Sequence, residues 1–154
     1  MSMTDGERAV YDAAKLTYRS PEWIVLPQVS IGTGYYNYGG DRVIDLLILN
    51  AYPSKRFRVL AVEIKHSRSD WNADLCDPSK QTLAHLYSDD FYWCVPEELA
   101  KNPPINFQWR HDGLMIVRDG KLVIHRKPIS KREKIPYSHG FVMALLRRAE
   151  RTLG

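Results

Sequence analysis

The chain has 154 residues, 44% apolar and 26% charged with a net charge of +4, which suits one soluble globular domain with a real core. No run approaches the roughly 18 apolar residues of a membrane span, and MSMTDGERAV lacks the basic start and apolar stretch of a secretory signal. Cys76 and Cys94 stand far apart with no metal-ligand spacing, so they read as reduced packing residues of a cytoplasmic protein and exclude a zinc site.

Thr4 to Tyr18 is predicted as a helix, with apolar residues at 9, 10, 13, 14 and 16 and a capping box at Thr4-x-x-Glu7. Ser20-Pro21 ends it. Glu22 to Ser30 is a first strand, which Pro27 places at an edge or bulge. The stretch from Ile31 to Gly40 sets Tyr35, Tyr36 and Tyr38 among glycines, as a loop or hairpin tip. Arg42 to Leu49 is a short apolar strand with Asp45 in its middle. Asn50 to Lys55 turns the chain, and Phe57 to Lys65 is a second such strand. After a polar link, in which Asp70, Trp71 and Asp74 fit a short helix or cap, Asp77-Pro78 opens a helix through Tyr87. Phe91 to Val95 is a buried strand, and Glu97 to Asn106 a loop with one helical turn at most. Gly113 to Val117 and Lys121 to His125 form a hairpin, and Arg126 to Lys134 a basic connector. Ser138 caps a final helix with Phe141, Val142, Leu145, Leu146 and Ala149 inward and Arg147, Arg148 and Arg151 outside. The sum is an α/β domain with a mixed, mainly four-stranded sheet, extended by a C-terminal hairpin and helix.

The chemistry lies on the two central strands. Successive strand residues face opposite ways, so Glu63 and Lys65 share one face while Val62 and Ile64 take the other. Asp45 likewise turns away from Ile44 and Leu46. If the two strands are hairpin neighbours, Asp45 and Glu63 converge. Two close carboxylates repel, and a hard divalent cation with oxygen ligands offsets that cost. A lysine on the same face would lower the pKa of a nearby water or neutralise charge on a reacting phosphate. A structural salt bridge accounts for a lone E-x-K equally well.

The arrangement of Asp45 before Val62-Glu63-Ile64-Lys65 resembles the D…(D/E)xK signature of the PD-(D/E)xK nuclease superfamily, with Ile44 where the motif's proline would stand. More narrowly, VEIKHSRSDWNAD, DDFYWCVPEEL, HDGLMIVRDGKLVI and an arginine-rich last helix resemble the MmcB-like DNA-repair family over residues 40–150. The resemblance implies an αβββαβ core and a DNA endonuclease of repair or recombination, dependent on Mg2+ or Mn2+. It makes Asp45, Glu63 and the Ile64 carbonyl metal ligands, with Lys65 assisting the water. It also offers Glu7 as a further ligand, although the capping box explains Glu7 without one. Lys80 and Gln81 would contact phosphate or water, or else form an exposed first-turn pair.

Further candidates for nucleic acid are Arg42, Ser67 and Arg68 near the motif strands, and Tyr36, whose ring could stack on an unpaired base. Lys131, Arg132 and the arginines of the last helix could grip phosphates without reading sequence. Residues 110–154 carry 11 Lys/Arg against 4 Asp/Glu, whereas residues 1–109 carry 11 against 14. That asymmetry suits a cation held in one place and a polyanion in another, or simply a solvated basic face. DNA is the expected partner. A two-fold homodimer would let both strands of a duplex be met, though no residue demonstrates it. The alternative function is a DNA-binding accessory module that keeps the fold but does not cut.

Overall fold

The computed structural model describes residues 3–31, 42–129 and 133–153. Tyr36, Lys131 and Arg132, with the Gly/Tyr hairpin tip, lie outside these residues. Helix α1 (Asp5–Thr17) precedes three strands, β1 (Trp23–Ile31), β2 (Arg42–Asn50) and β3 (Val59–Ile64). Helix α2 (Arg68–Leu75), a 3-10 turn (Pro78–Gln81) and α3 (Thr82–Leu86) lead to β4 (Asp90–Cys94). Helices α4 (Glu97–Lys101) and α5 (Ile105–Gln108) lead to the hairpin β5 (Gly113–Arg118) and β6 (Lys121–Arg126). Helix α6 (His139–Leu153) closes the chain.

All six strands form one mixed sheet in the order β1-β2-β3-β4-β5-β6. The pairs β1–β2, β2–β3 and β5–β6 are antiparallel, while β3–β4 and β4–β5 are parallel. The expected four-stranded sheet is therefore two strands too narrow. The hairpin is no appendage, because Tyr92, Trp93 and Cys94 pair in parallel with Gly113, Leu114 and Met115. Pro27 does sit on an edge strand.

One face packs Leu46, Ile48, Leu60, Val62, Ile64, Tyr92, Cys94 and Met115 against Val10, Tyr11, Ala13 and Ala14 of α1. The other packs Leu47, Val59, Ala61, Phe91, Trp93, Leu114 and Ile116 against Trp71, Leu75, Ala84, Ala100, Phe107 and Phe141 of the remaining helices. Helix α1 also reaches the β6 edge, where Leu122 donates its backbone N–H to Thr17 Oγ1 at 2.9 Å.

The short helix expected around Asp70, Trp71 and Asp74 is α2, capped by Ser67, which accepts from the Asp70 N–H at 3.2 Å. Several local expectations need correction. The helix expected from Asp77 through Tyr87 begins as a 3-10 turn, and Asp77 makes no side-chain cap. The loop at 97–106 contains α4 and the start of α5. On α6, Phe141 and Ala144 are buried, but Val142 and Leu146 are exposed, so the inward face is rotated from the one expected. Cys94 is buried, whereas Cys76 is exposed and does no core packing. No helix among the described residues is long and apolar enough to cross a membrane.

Candidate functional site

Strands β2 and β3 pair from Leu49↔Val59 to Leu46↔Val62, and the next residues in that register are Asp45 and Glu63. Here the ladder stops being purely backbone. Asp45 Oδ2 accepts the Ile64 backbone N–H at 2.8 Å, in place of a main-chain carbonyl. Asp45 and Glu63 are close enough for each to shift the other's titration.

The alternation predicted around Asp45 is only half right. Ile44 and Leu46 are expected on one face, but Leu46 packs with Ile48 on the α1 face and Ile44 with Leu47 on the opposite one. The cause stands across the strand gap. Gln28 lies between the pairs Pro27↔Leu46 and Val29↔Ile44, hence opposite Asp45, and adopts the left-handed region with φ 50°. Beyond it, Val29 and Ile31 join the face opposite to Trp23 and Val25. Both strands thus reverse their facing at the level of Asp45.

Electrostatics follow from burial. Burial first, and then the negative charge and hydrogen bond of Asp45, hold the Glu63 carboxyl well above its ordinary range. Burial also raises Asp45, against the Ile64 N–H and the Glu63 hydrogen bond, with Glu7 adding repulsion and Lys65 attraction. Each carboxylate disfavours ionisation of the other, and Glu63, the more deeply buried, is raised the further.

Lys65 senses both carboxyl groups but is bonded elsewhere. Its Nζ donates to Asp74 Oδ2 of α2, while Lys80 Nζ holds Asp74 Oδ1 at 3.2 Å. Burial opposes ionisation of Asp74, yet the two lysines keep its carboxyl below the usual carboxylate range. Burial works against the Lys65 ammonium too, and Asp74, Glu63 and Asp45 overcome it to raise its pKa. Asp74 is the site residue that the sequence did not single out. It is nine positions beyond Lys65, and no local spacing ties the two together.

Glu7 completes the expected capping box, its Oε1 accepting the Thr4 N–H at 3.3 Å, and its charge is still felt at Asp45. Ser67 is the α2 cap and Arg68 donates to the Asn102 carbonyl, so both are engaged in structure. Arg42 opens β2 opposite Ile31. Gln81 is not on the surface: it is 3% exposed, and its Oε1 has no hydrogen-bond partner among the described residues. Among the described residues, no group of three or more His, Cys, Asp or Glu side chains is gathered to hold a metal ion. The protein donors at hand for a cation are therefore the two carboxyl groups and nearby backbone carbonyls such as that of Ile64.

No protein-family model and no curated protein matches the chain. Among solved structures, the fold is similar to that of a protein of unknown function from Silicibacter pomeroyi, with TM-score 0.64 and 19% identity over 99% of this chain and 91% of that one. At that identity the likeness speaks for the fold: this chain is a mixed α/β protein of the same overall architecture.

Proposed function

We propose that the chain is a divalent-cation-dependent phosphodiester hydrolase acting on DNA, with Asp45, Glu63 and Lys65 at its centre. One observation carries the reading. Asp45 and Glu63 meet at the end of the β2–β3 pairing, each opposing ionisation of the other, with the Lys65 cation close enough to act on both. A fold gains nothing from burying two carboxyl groups together, whereas a hard cation replaces the proton and removes the repulsion. The donor set fits magnesium or manganese, which bind oxygen and accept few protein ligands because they keep water. Such an ion would supply charge that ionises water near neutral pH and offsets charge on phosphoryl oxygens.

The side chains divide the remaining work. Asp45 is oriented by the Ile64 N–H, which fixes Oδ2 at the end of the β2–β3 ladder. Glu63, whose carboxyl is held above its ordinary range, would bind a cation as the carboxylate. Lys65, swung from Asp74, would neutralise charge on the scissile phosphate. The order of elements, a helix, three strands, helices and a fourth strand, is also the order implied by the nuclease resemblance.

A non-cleaving DNA-binding module is the second reading, favoured by the hold of Asp74 on Lys65. Plasmid, single-stranded and branched DNA incubated with magnesium or manganese separate the two. Cleavage by wild type that disappears in Glu63→Gln and Lys65→Ala, with DNA affinity retained, supports the hydrolase. Intact DNA in every arm removes it.

A further inference from the structure

The arginines of α6 converge on β1. Arg147, Arg148 and Arg151 line a cavity of about 130 Å3 with Ala144 of the same helix and with Gln28 and Ser30 of β1. Among the described residues, none of the three forms an ion pair with a carboxylate. Three arginines around one small hollow gather positive charge there, which an anion between them would offset. Cations in the last turns of a helix also complement its dipole, which explains their charge. It does not explain why they gather over Gln28 and Ser30, whose amide and hydroxyl add further donors.

The position of the hollow gives the ligand. Gln28 is 8% exposed and stands opposite Asp45 across the β1–β2 ladder. Neighbouring strands lie about 4.8 Å apart, so the arginine hollow begins one strand away from the carboxyl pair. A polynucleotide presents phosphates in series. If one lies at Asp45 and Glu63, a flanking one can reach guanidinium forks, which match phosphate geometry and read no base.

We infer that the α6–β1 hollow is a phosphodiester-backbone subsite that grips a nucleic-acid strand beside the Asp45–Glu63 pair. The inference rests on the proposed function in taking a polynucleotide as the ligand. It does not require that the strand be cut.

Fluorescence anisotropy of short labelled single strands, titrated in EDTA at several salt concentrations, tests it without cleavage. Oligodeoxynucleotide and oligoribonucleotide arms tell which backbone is held. The Arg147→Gln/Arg151→Gln protein is expected to bind about tenfold more weakly, with a salt slope smaller by about 0.7 for each phosphate no longer neutralised. Ser30→Glu places a carboxylate in the hollow, and should weaken binding while the melting temperature holds or rises, which a folding defect would not produce. Unchanged affinity and salt slope in both variants overturn the subsite, as does failure of the wild type to bind either strand. Arginine-dependent binding without cleavage in magnesium would remove the hydrolase and keep the subsite. Cleavage with arginine-independent binding would do the reverse.

Discussion

A carboxyl group buried beside another carboxylate is held protonated, and for Glu63 the burial and Asp45 act in the same direction. The linkage follows from the raised folded value. The group destabilises nothing below its ordinary value of 4.5, and its contribution to stability falls as pH rises from there towards the folded value. Glu63→Gln should therefore stabilise the cation-free protein at neutral pH and remove this fall in stability with rising pH. Thermal melts from pH 4 to pH 8 in EDTA read this out, and a lower melting temperature for the variant throughout would contradict it. Asp112 shows the opposite sign. It accepts from Trp93 Nε1 at 2.9 Å and Arg110 Nε at 2.8 Å, and shares a 2.9 Å hydrogen bond with His85 Nε2. Burial opposes its charge, but these partners hold the carboxyl below its ordinary 3.8. Its stabilisation is complete above that value and is lost as pH falls through the lower folded value. Asp112→Asn should cost about 2–3 kcal/mol at pH 7 by denaturant titration, because charge-assisted bonds are lost in the interior.

At the scale of elements, the β4–β5 junction depends on a missing side chain. A Cβ added to Gly113 would come 2.5 Å from the ring of its cross-strand partner Tyr92 and 2.9 Å from Pro128. Tyr92 is buried and cannot swing away, so Gly113→Ala should cost about 1–3 kcal/mol in chemical denaturation. A neutral result would mean the parallel pairing is looser than the register implies. This junction also shows what the sequence leaves open. The hairpin at 113–126 is legible from two apolar runs around Arg118-Asp119-Gly120. Its parallel attachment to β4 is not, since parallel strands meet through a crossover and leave no local turn signal. Helix α2 is legible in Asp70, Trp71 and Asp74 as a short helix or cap, and its buried Trp71 and Leu75 are the apolar positions of that helix. The reversal at Gln28 was hidden for another reason. Period-two reasoning assumes that every residue is extended, and nothing in the type Gln announces a positive φ.

For the whole molecule, the convergence of Asp45 and Glu63 could be anticipated because both lie in apolar strands joined by a short turn. The engagement of Lys65 by Asp74 could not, since it depends on how α2 docks over the sheet. If the carboxyl pair takes up a cation only in the folded state, binding stabilises the entire domain by mass action. Magnesium or manganese at a hundredfold excess over its dissociation constant should add about 2.7 kcal/mol, measurable as a rise in melting temperature. Asp45→Asn should abolish that rise. An equal rise in the variant would place the ion elsewhere.

The hydrogen bond from the Ile64 N–H to Asp45 has a consequence for descent. Because that side chain substitutes for a main-chain acceptor, an amide in its place could keep the two strands joined after any chemistry had gone. A relative carrying Asn there would retain the architecture of its ancestor, and the bare presence of an oxygen at this position would not distinguish a working copy from a silenced one.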